Sequence, residues 1–256
     1  MDTDICRDDG CAARMDLTPT PEQVEMGLCD GSADVRLAWS ARRDYTPSTD
    51  QIRRGMSDSH ESVRVKFAER LDWSPSAEDV DIGVNDPDYV VRLTWARRTD
   101  FVPTREQVDR GLNDGRLEIQ LAWIKRRDFV PTLEQVRNAL NSQSVIVRLA
   151  MSERDDYVMD DFVDDMIRSE SVDVRVVWAR KLRSRAITPE WRSHGLADWS
   201  SAVKLEWLSH PHLDPSRDEM DSGLSDANEV VRLAWRERYS RMVESKMDGD
   251  YEPPHL

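Results

Sequence analysis

The sequence has no long apolar segment, few cysteines and no excess of basic residues. Without a run of about 18 or more apolar residues, it encodes no ordinary membrane-spanning helix. Residues 1–10 are acidic and lack the apolar centre of a signal peptide. The three cysteines, Cys6, Cys11 and Cys29, are odd in number and confined to one end. That usage is typical of a reducing compartment, so we expect a cytoplasmic protein.

The charge balance argues against direct binding of nucleic acid. Acidic residues exceed basic ones by 50 to 36, for a net charge of −14. A protein this acidic repels a phosphate backbone. Hydrophobic residues make up only 39% of the chain, which is typical of a protein in which each repeat touches only its neighbours. Nine tryptophans argue against disorder, because disordered chains lack large apolar groups to bury.

The most informative feature is a ten-residue block, VRLTWARRTD at 91–100, which returns about every 28 residues. Self-similarity at such a period is typical of a solenoid or another repeat array. The eight copies of the block begin at Val35, Val63, Val91, Ile119, Val147, Val174, Val203 and Val231.

Cap signals divide each repeat into two helices, called A and B. In the repeat 101–128, Thr104 is predicted to cap helix A, with Gln107 closing a capping box. Asp114 is predicted to cap helix B, which carries the block, and Pro87 after the equivalent Asp86 suits a first helical position. Two helices in 28 residues form a hairpin. The sequence therefore predicts an all-α fold, an α-solenoid of about eight 28-residue helical hairpins.

The ends of the chain depart from the full repeat. Residues 2–16 match the second half of a repeat and are predicted to form a polar N-terminal cap. We expect a capping half-repeat over 1–16, a single solenoid domain over 17–247 and a flexible tail over 248–256.

On a helical wheel, helix B is apolar on two sides. In the first block, Val35 and Trp39 share one face, and Leu37 and Ala41 share a second one. A helix of this kind is packed between neighbours, so helix B is predicted to be the inner helix. The remaining narrow stripe would then line a concave inner surface. It consists of Arg36, Ser40 and Arg43 in the first block, and of Arg92, Ala96 and Thr99 in the third.

In the regular repeats, one arginine recurs six residues after the Asp of the A–B turn. The set is Arg36, Arg64, Arg92, Arg148, Arg175 and Arg232, with Gln120 and Lys204 in the other repeats. This spacing resembles HEAT-type repeats, and the block VRLTWARRTD also resembles the leucine-rich-repeat variant family. The resemblance implies an α-solenoid in which these arginines form an Asp–Arg ladder between adjacent repeats. It hardly specifies a function, which has to be argued from a site.

Two interpretations of these charged residues remain open. The arginines are either ladder residues or a basic stripe that binds an acidic partner, and Arg43 and Arg127 would belong to the same stripe. Acidic residues crowd the A–B turns, either as caps or as a rim that recruits a basic partner or imitates DNA. The rim comprises Asp30, Asp34, Asp86, Asp88, Asp114 and Glu118.

Two further rows are predicted to be structural. An aromatic residue at the fifth position of most blocks is expected to pack between repeats, because base stacking would need a basic groove. The row is Trp39, Phe67, Trp95, Trp123, Trp178, Trp207 and Trp235, with Met151 in repeat five. A second basic row ends the B helices, where a cation can bond unpaired carbonyls. It comprises Arg42, Arg70, Arg98, Arg126, Arg154 and Arg238.

Nothing in the sequence predicts catalysis, a cofactor or a metal. The three cysteines fall short of the four ligands of a closed zinc or iron–sulfur site. His60-Glu61 is the only His-Glu pair, whereas HEAT-type hydroxylases use several. No phosphate-binding loop or nucleophile elbow occurs. We therefore expect a non-catalytic scaffold that binds a protein with a basic patch. The alternatives are an acidic DNA mimic that inhibits a DNA-binding protein and a HEAT-like enzyme.

Overall fold

The computed structural model describes residues 18–157 and 159–249, with side chains to residue 243. Over these residues it is all-α, without strands, and the α-solenoid prediction is confirmed. The chain divides into two compact units, Met1–Val130 and Pro131–Leu256, called unit 1 and unit 2. The predicted half-repeat 1–16 and residues 250–256 of the predicted tail lie outside the described residues.

Unit 1 contains four helical hairpins in its described part, with A and B helices alternating. Their bounds are Pro21–Leu28 (α1), Ala33–Ala41 (α2), Thr49–Met56 (α3), Glu61–Ala68 (α4), Ala77–Val84 (α5), Tyr89–Arg97 (α6), Arg105–Leu112 (α7) and Leu117–Lys125 (α8).

Unit 2 continues the alternation, with 3-10 turns at Asp160–Phe162 and Leu182–Ser184 and a short A helix after the first of them. Its helices are Leu133–Leu140 (α9), Val145–Ser152 (α10), Val163–Ile167 (α11), Val172–Lys181 (α12), Pro189–Leu196 (α13), Ser201–Leu208 (α14), Arg217–Leu224 (α15) and Glu229–Gly249 (α16).

Among the described residues, all the A helices except the short α11 begin at the predicted Thr or Ser cap. The Thr104 hydroxyl accepts a hydrogen bond from the Gln107 N–H, and the Gln107 side chain accepts one from the Thr104 N–H, which completes the capping box. Six other A helices have a Thr or Ser cap in the same position, namely Thr20, Ser48, Ser76, Thr132, Thr188 and Ser216.

The predicted caps of the B helices are wrong by two residues. The N-cap of α8 is Arg116, and the N-cap of α6 is Asp88, so that Pro87 precedes the helix. Asp114 and Asp86 instead close a tight turn, because their carboxylates accept the N–H of the residue two positions later, at 2.9 and 2.8 Å. This turn frees the second carboxylate oxygen for another donor.

The aromatic row lies in the core, as predicted. Trp95 and Trp123 are each 1% exposed. A glycine of the preceding A helix packs directly against each ring: a Cβ placed on Gly83 would lie 2.2 Å from Trp95, and one on Gly111 would lie 2.1 Å from Trp123. The hairpin is held together by this close approach, which only a residue without a side chain permits.

Within each unit, B helices pack more extensively against neighbouring B helices than A helices do against A helices. Helix B is therefore the inner helix, as the wheel predicts. Over the described part of the chain, no helix is long and apolar enough to cross a membrane.

Candidate functional site

The first arginine row forms an Asp–Arg ladder in unit 1. The Nε and Nη2 atoms of Arg92 donate to the carboxylate of Asp114 at 2.7 and 3.2 Å, while its Nη1 donates to the carbonyl of Asp86 at 2.8 Å. Each arginine thus joins its own A–B turn to the turn of the next repeat. The same bonds join Arg36 to Asp58 and Arg64 to Asp86.

Unit 2 keeps the ladder with more varied residues. Arg175 donates to both carboxylate oxygens of Asp198 at 2.7 and 3.0 Å, in a buried pair. Lys204 takes the next position and donates to Asp226 at 2.5 Å. Arg232 donates to the carbonyl of Asp226. The charged groups of these pairs therefore bind one another within the protein.

The electrostatics of the ladder follow from these bonds. The pKa values of Arg36, Arg64 and Arg92 are raised because each donates hydrogen bonds to a carboxylate. Burial alone would raise the pKa of Asp58. The pKa is nevertheless lowered, because hydrogen bonds from Arg36 and the His60 N–H outweigh it.

Three residues of the predicted basic stripe make no ladder pair with a carboxylate among the described residues. Arg43 is exposed, and its Nη1 donates to the carbonyls of Ser40 and Ala41, at the end of α2. Arg127 is exposed after α8. Arg148 donates from Nη1 to the carbonyl of Ser142 and has no carboxylate partner among the described residues.

The predicted acidic rim is divided in function. The carboxylates of Asp30, Asp86 and Asp114 accept N–H groups in their turns, and those of Asp86 and Asp114 also hold ladder arginines. Asp88 caps α6 through the N–H groups of residues 90 and 91. Asp34 and Glu118 are exposed in the first turns of their helices.

The second basic row holds the ends of the B helices, and its predicted structural role is confirmed. Arg98 is 4% exposed, and its Nη1 donates to the carbonyls of Ala68 and Arg70, at 2.7 and 2.8 Å. Its Nε and Nη2 donate to Asp100. This row is a second ladder, in which the guanidinium groups of Arg70, Arg98, Arg126 and Arg238 bind backbone carbonyls of the preceding repeat.

The exposed stripe that the wheel predicts on helix B is wrong at one position. Ser40 and Ala96 are both fully buried. The B helices pack against their own A helices and against neighbouring B helices, which cover this position. In α6 the open side instead carries Val90, Leu93 and Arg97.

An apolar stripe runs along this open side in both units, and its residues are half-buried except for Leu233, which is 47% exposed. In unit 1 it consists of Leu37, Val65, Leu93 and Leu121, and in unit 2 of Leu149, Val176, Leu205 and Leu233. Exposed charged residues flank it, among them Glu118 and Lys125 on α8. A depression of about 420 Å³ between α6 and α8 is lined by Leu121 and Ala122 and by those two charged residues. We call these eight residues the apolar stripe.

On the helical wheel, the position of Leu37 belongs to the second apolar face of helix B, which is predicted to pack against a neighbouring helix. The available signal was the third position of every block, which is always Leu or Val. A wheel shows that this position is apolar, but it does not show how far neighbouring helices extend around helix B.

The residues considered for metal binding are not assembled into a site. Among the described residues, no group of three or more His, Cys, Asp or Glu side chains could hold a metal ion. Cys6 and Cys11 lie outside those residues. Burial raises the pKa of Cys29, and the carboxylate of Glu25 adds to this shift, so its thiol is not activated.

Comparison with protein-family models gave no match, and comparison with curated proteins gave none either. A solved structure described as a leucine-rich repeat variant with a novel repetitive structural motif is similar to this chain, with a TM-score of 0.60. The two share 21% identity over 84% of this chain and 79% of the other. This likeness shows the fold alone. It confirms the resemblance predicted from the VRLTWARRTD block: the chain has a helical repeat fold of the leucine-rich-repeat-variant kind.

Proposed function

We propose that this protein is a non-catalytic scaffold that binds another protein along the open side of its B helices. The observation that carries the proposal is the apolar stripe, which recurs on successive helices and is bordered by exposed charges. Apolar surface rimmed by polar residues is typical of an interaction site. A rigid array of such positions suits an extended or a broad partner surface.

The charge of the protein favours a partner with a basic patch. The net charge is −14, and the ladder pairs neutralise one another, so the excess of carboxylates lies outside the ladder. Asp34 and Glu118 border the stripe. A complementary basic patch would be attracted over distances of about a Debye length, roughly 10 Å at moderate salt.

The non-catalytic part of the proposal rests on the roles of the buried ionic groups. Arg98, Arg175 and Asp198 are buried, and each is engaged in a bond that joins one repeat to the next. Catalytic groups instead have perturbed environments inside a cleft where a substrate can reach them.

Capture from native lysate tests the proposal, with charge reversals on two faces. Glu118→Lys reverses a charge beside the stripe, and Glu106→Lys reverses one on the outer helix α7. Both glutamates are exposed and lie in the first turn of a helix, so the two changes cost similar helix-dipole energy.

We expect Glu118→Lys to weaken capture of the partner and Glu106→Lys to leave it unchanged. Raising the salt concentration should release the partner from the original protein. Equal capture by both folded variants would contradict the proposal. Capture of a DNA-processing enzyme that DNA displaces would instead favour the DNA-mimic alternative.

A further inference from the structure

Among the ladder arginines that are followed by another described repeat, Arg148 is the one without a carboxylate partner. In the pairs Arg92–Asp114 and Arg175–Asp198, the carboxylate lies 22 and 23 residues after the arginine. For Arg148 the corresponding position is Ser169, since the Ser169 hydroxyl accepts the Ser171 N–H and the Ser169 carbonyl accepts Arg175 Nη1 at 2.6 Å. Ser169 therefore makes both local bonds of a ladder aspartate and lacks its carboxylate.

Arg148 is nevertheless positioned as a ladder residue. Its Nη1 donates to the carbonyl of Ser142, six residues earlier, as Arg92 Nη1 donates to Asp86. That bond fixes the direction of the guanidinium. In Arg92, the Nε and Nη2 atoms donate to the Asp114 carboxylate. The same two atoms of Arg148 have no acceptor among the described residues.

Space for an acceptor lies beside Arg148. An open depression of about 520 Å³ has a lining that includes Ser142, Arg148, Arg168, Ser169, Asp164, Asp165 and Glu170. Arg168 is exposed and pairs with Asp164 at 3.5 Å, so Arg148 is the cation of the cavity that has no such partner. We call this space the Arg148 cavity.

We propose that the Arg148 cavity binds a single Asp or Glu side chain of the partner protein, flanked in that partner by basic residues. A carboxylate there would accept two parallel bonds from Nε and Nη2, the arrangement seen in the complete pairs. The exposed acids Asp164, Asp165 and Glu170 line the same cavity and would attract the flanking basic residues, while they repel a polyanion. This assignment rests on the proposed scaffold function, because it adds one anchor to the same interaction.

Two short peptides test the assignment: one with a single aspartate between lysines, and the same peptide with asparagine in its place. Each is titrated into the full protein while the Nε–H resonance of Arg148 is followed by NMR. We expect the aspartate peptide to bind about tenfold more tightly, as a charge-assisted pair would give, and to shift that resonance.

Substitutions at Ser169 provide the matched control. Ser169→Asp supplies the missing carboxylate within the chain, so it should raise the melting temperature and remove the preference for the aspartate peptide. Ser169→Asn has the same shape without the charge, and it should keep the preference. Arg148→Gln should also remove it.

Equal affinity of the original protein for both peptides, or an unchanged Arg148 resonance on addition of the aspartate peptide, would overturn the assignment. The outcome is separable from the scaffold proposal. If lysate capture persists and Glu118→Lys weakens it while the two peptides bind equally, the carboxylate site alone is refuted. If the aspartate preference is found but the original protein captures nothing from lysate, the scaffold proposal fails instead.

Discussion

Units 1 and 2 use the same positions with different residues. In unit 1, every ladder cation with a carboxylate partner is an arginine, and an aromatic ring packs over a glycine in each described hairpin. In unit 2, Met151 replaces the aromatic residue in one repeat, Lys204 replaces a ladder arginine, and His210 replaces an arginine of the second ladder.

The replacements show that each position requires a bond of a given kind and not a given residue. His210 Nε2 lies 2.8 Å from the carbonyl of Leu182, where Arg98 Nη1 binds the carbonyls of Ala68 and Arg70. Both satisfy the end of the preceding B helix. Arg148 is different, because its ladder carboxylate is lost and nothing in the described chain replaces it.

Removing an aromatic ring should have the largest effect. Trp123→Ala is expected to lower the free energy of unfolding by about 3–5 kcal/mol, because a fully buried ring leaves a cavity. Met151→Ala in unit 2 should cost less, since methionine fills less volume. Denaturant unfolding measures both. A nearly unchanged midpoint for Trp123→Ala would show that the ring contributes little to the core.

The second largest effect should come from disturbing the contact between a glycine and an aromatic ring. Gly83→Ala places a Cβ 2.2 Å from Trp95 and should cost about 1–3 kcal/mol, since a ring fixed in the core moves with difficulty.

A second substitution, made in the Gly83→Ala variant, tests the comparison between the two units. Adding Trp95→Met should recover part of the loss, because unit 2 has Ala139 and Met151 in these two positions. Gly115→Ala is the control, as a Cβ there meets no atom within 4 Å. Equal melting temperatures for the Gly83 and Gly115 variants would contradict the close approach.

Removing a ladder arginine should lower the free energy of unfolding more at Arg92 in unit 1 than at Arg148 in unit 2. Arg92→Ala leaves the largely buried Asp114 carboxylate without its cation and should cost about 1–3 kcal/mol. Arg148→Ala leaves no carboxylate without a partner and should cost less than about 1 kcal/mol. The difference is measured by denaturant unfolding. Equal losses would show that the pairing with Asp114 adds nothing to stability.

The smallest effect should be a pH dependence that the arginines of unit 1 do not produce. Burial lowers the pKa of His210, and the charges of His212, Arg238 and Arg183 add to this shift. Its Nδ1 accepts the His212 N–H at 3.1 Å, so protonation would place a proton where that bond lies.

The folded state therefore binds fewer protons at this position than the unfolded chain does. The contribution of His210 to the free energy of unfolding is fully present above the unfolded pKa of about 6.5 and is lost as the pH drops below it. Melting curves between about pH 7.5 and 5.5 should show this decline in the original protein and less of it in His210→Gln. His194→Gln, on α13, serves as the control and should behave like the original protein.

Much of the fold follows from local rules. The 28-residue period, the Thr104 cap and the burial of Trp95 all reflect chemistry within one repeat or between repeats that look alike. The sequence also predicts the role of Arg98, because a cation at a helix end has carbonyls to bond.

The site was predicted less well, because it depends on what lies beside each helix. The turn at Asp114 looks like a cap, since an aspartate before a helix often is one, yet its second oxygen belongs to Arg92. Ala96 looks exposed on a wheel of one helix and is buried by neighbours. The open position at Arg148 is apparent only once Ser169 is identified as the ladder residue by its bonds.

The two ladders also bear on how the chain folds while it is being made. Arg36 and Asp58 are 22 residues apart in sequence, and Arg70 lies 30 residues after Ser40, whose carbonyl it binds. Contacts over such short separations close quickly, because little loop entropy has to be lost first. In unit 1 each hairpin can therefore dock on its predecessor as soon as about one further repeat leaves the ribosome, so that folding keeps pace with synthesis.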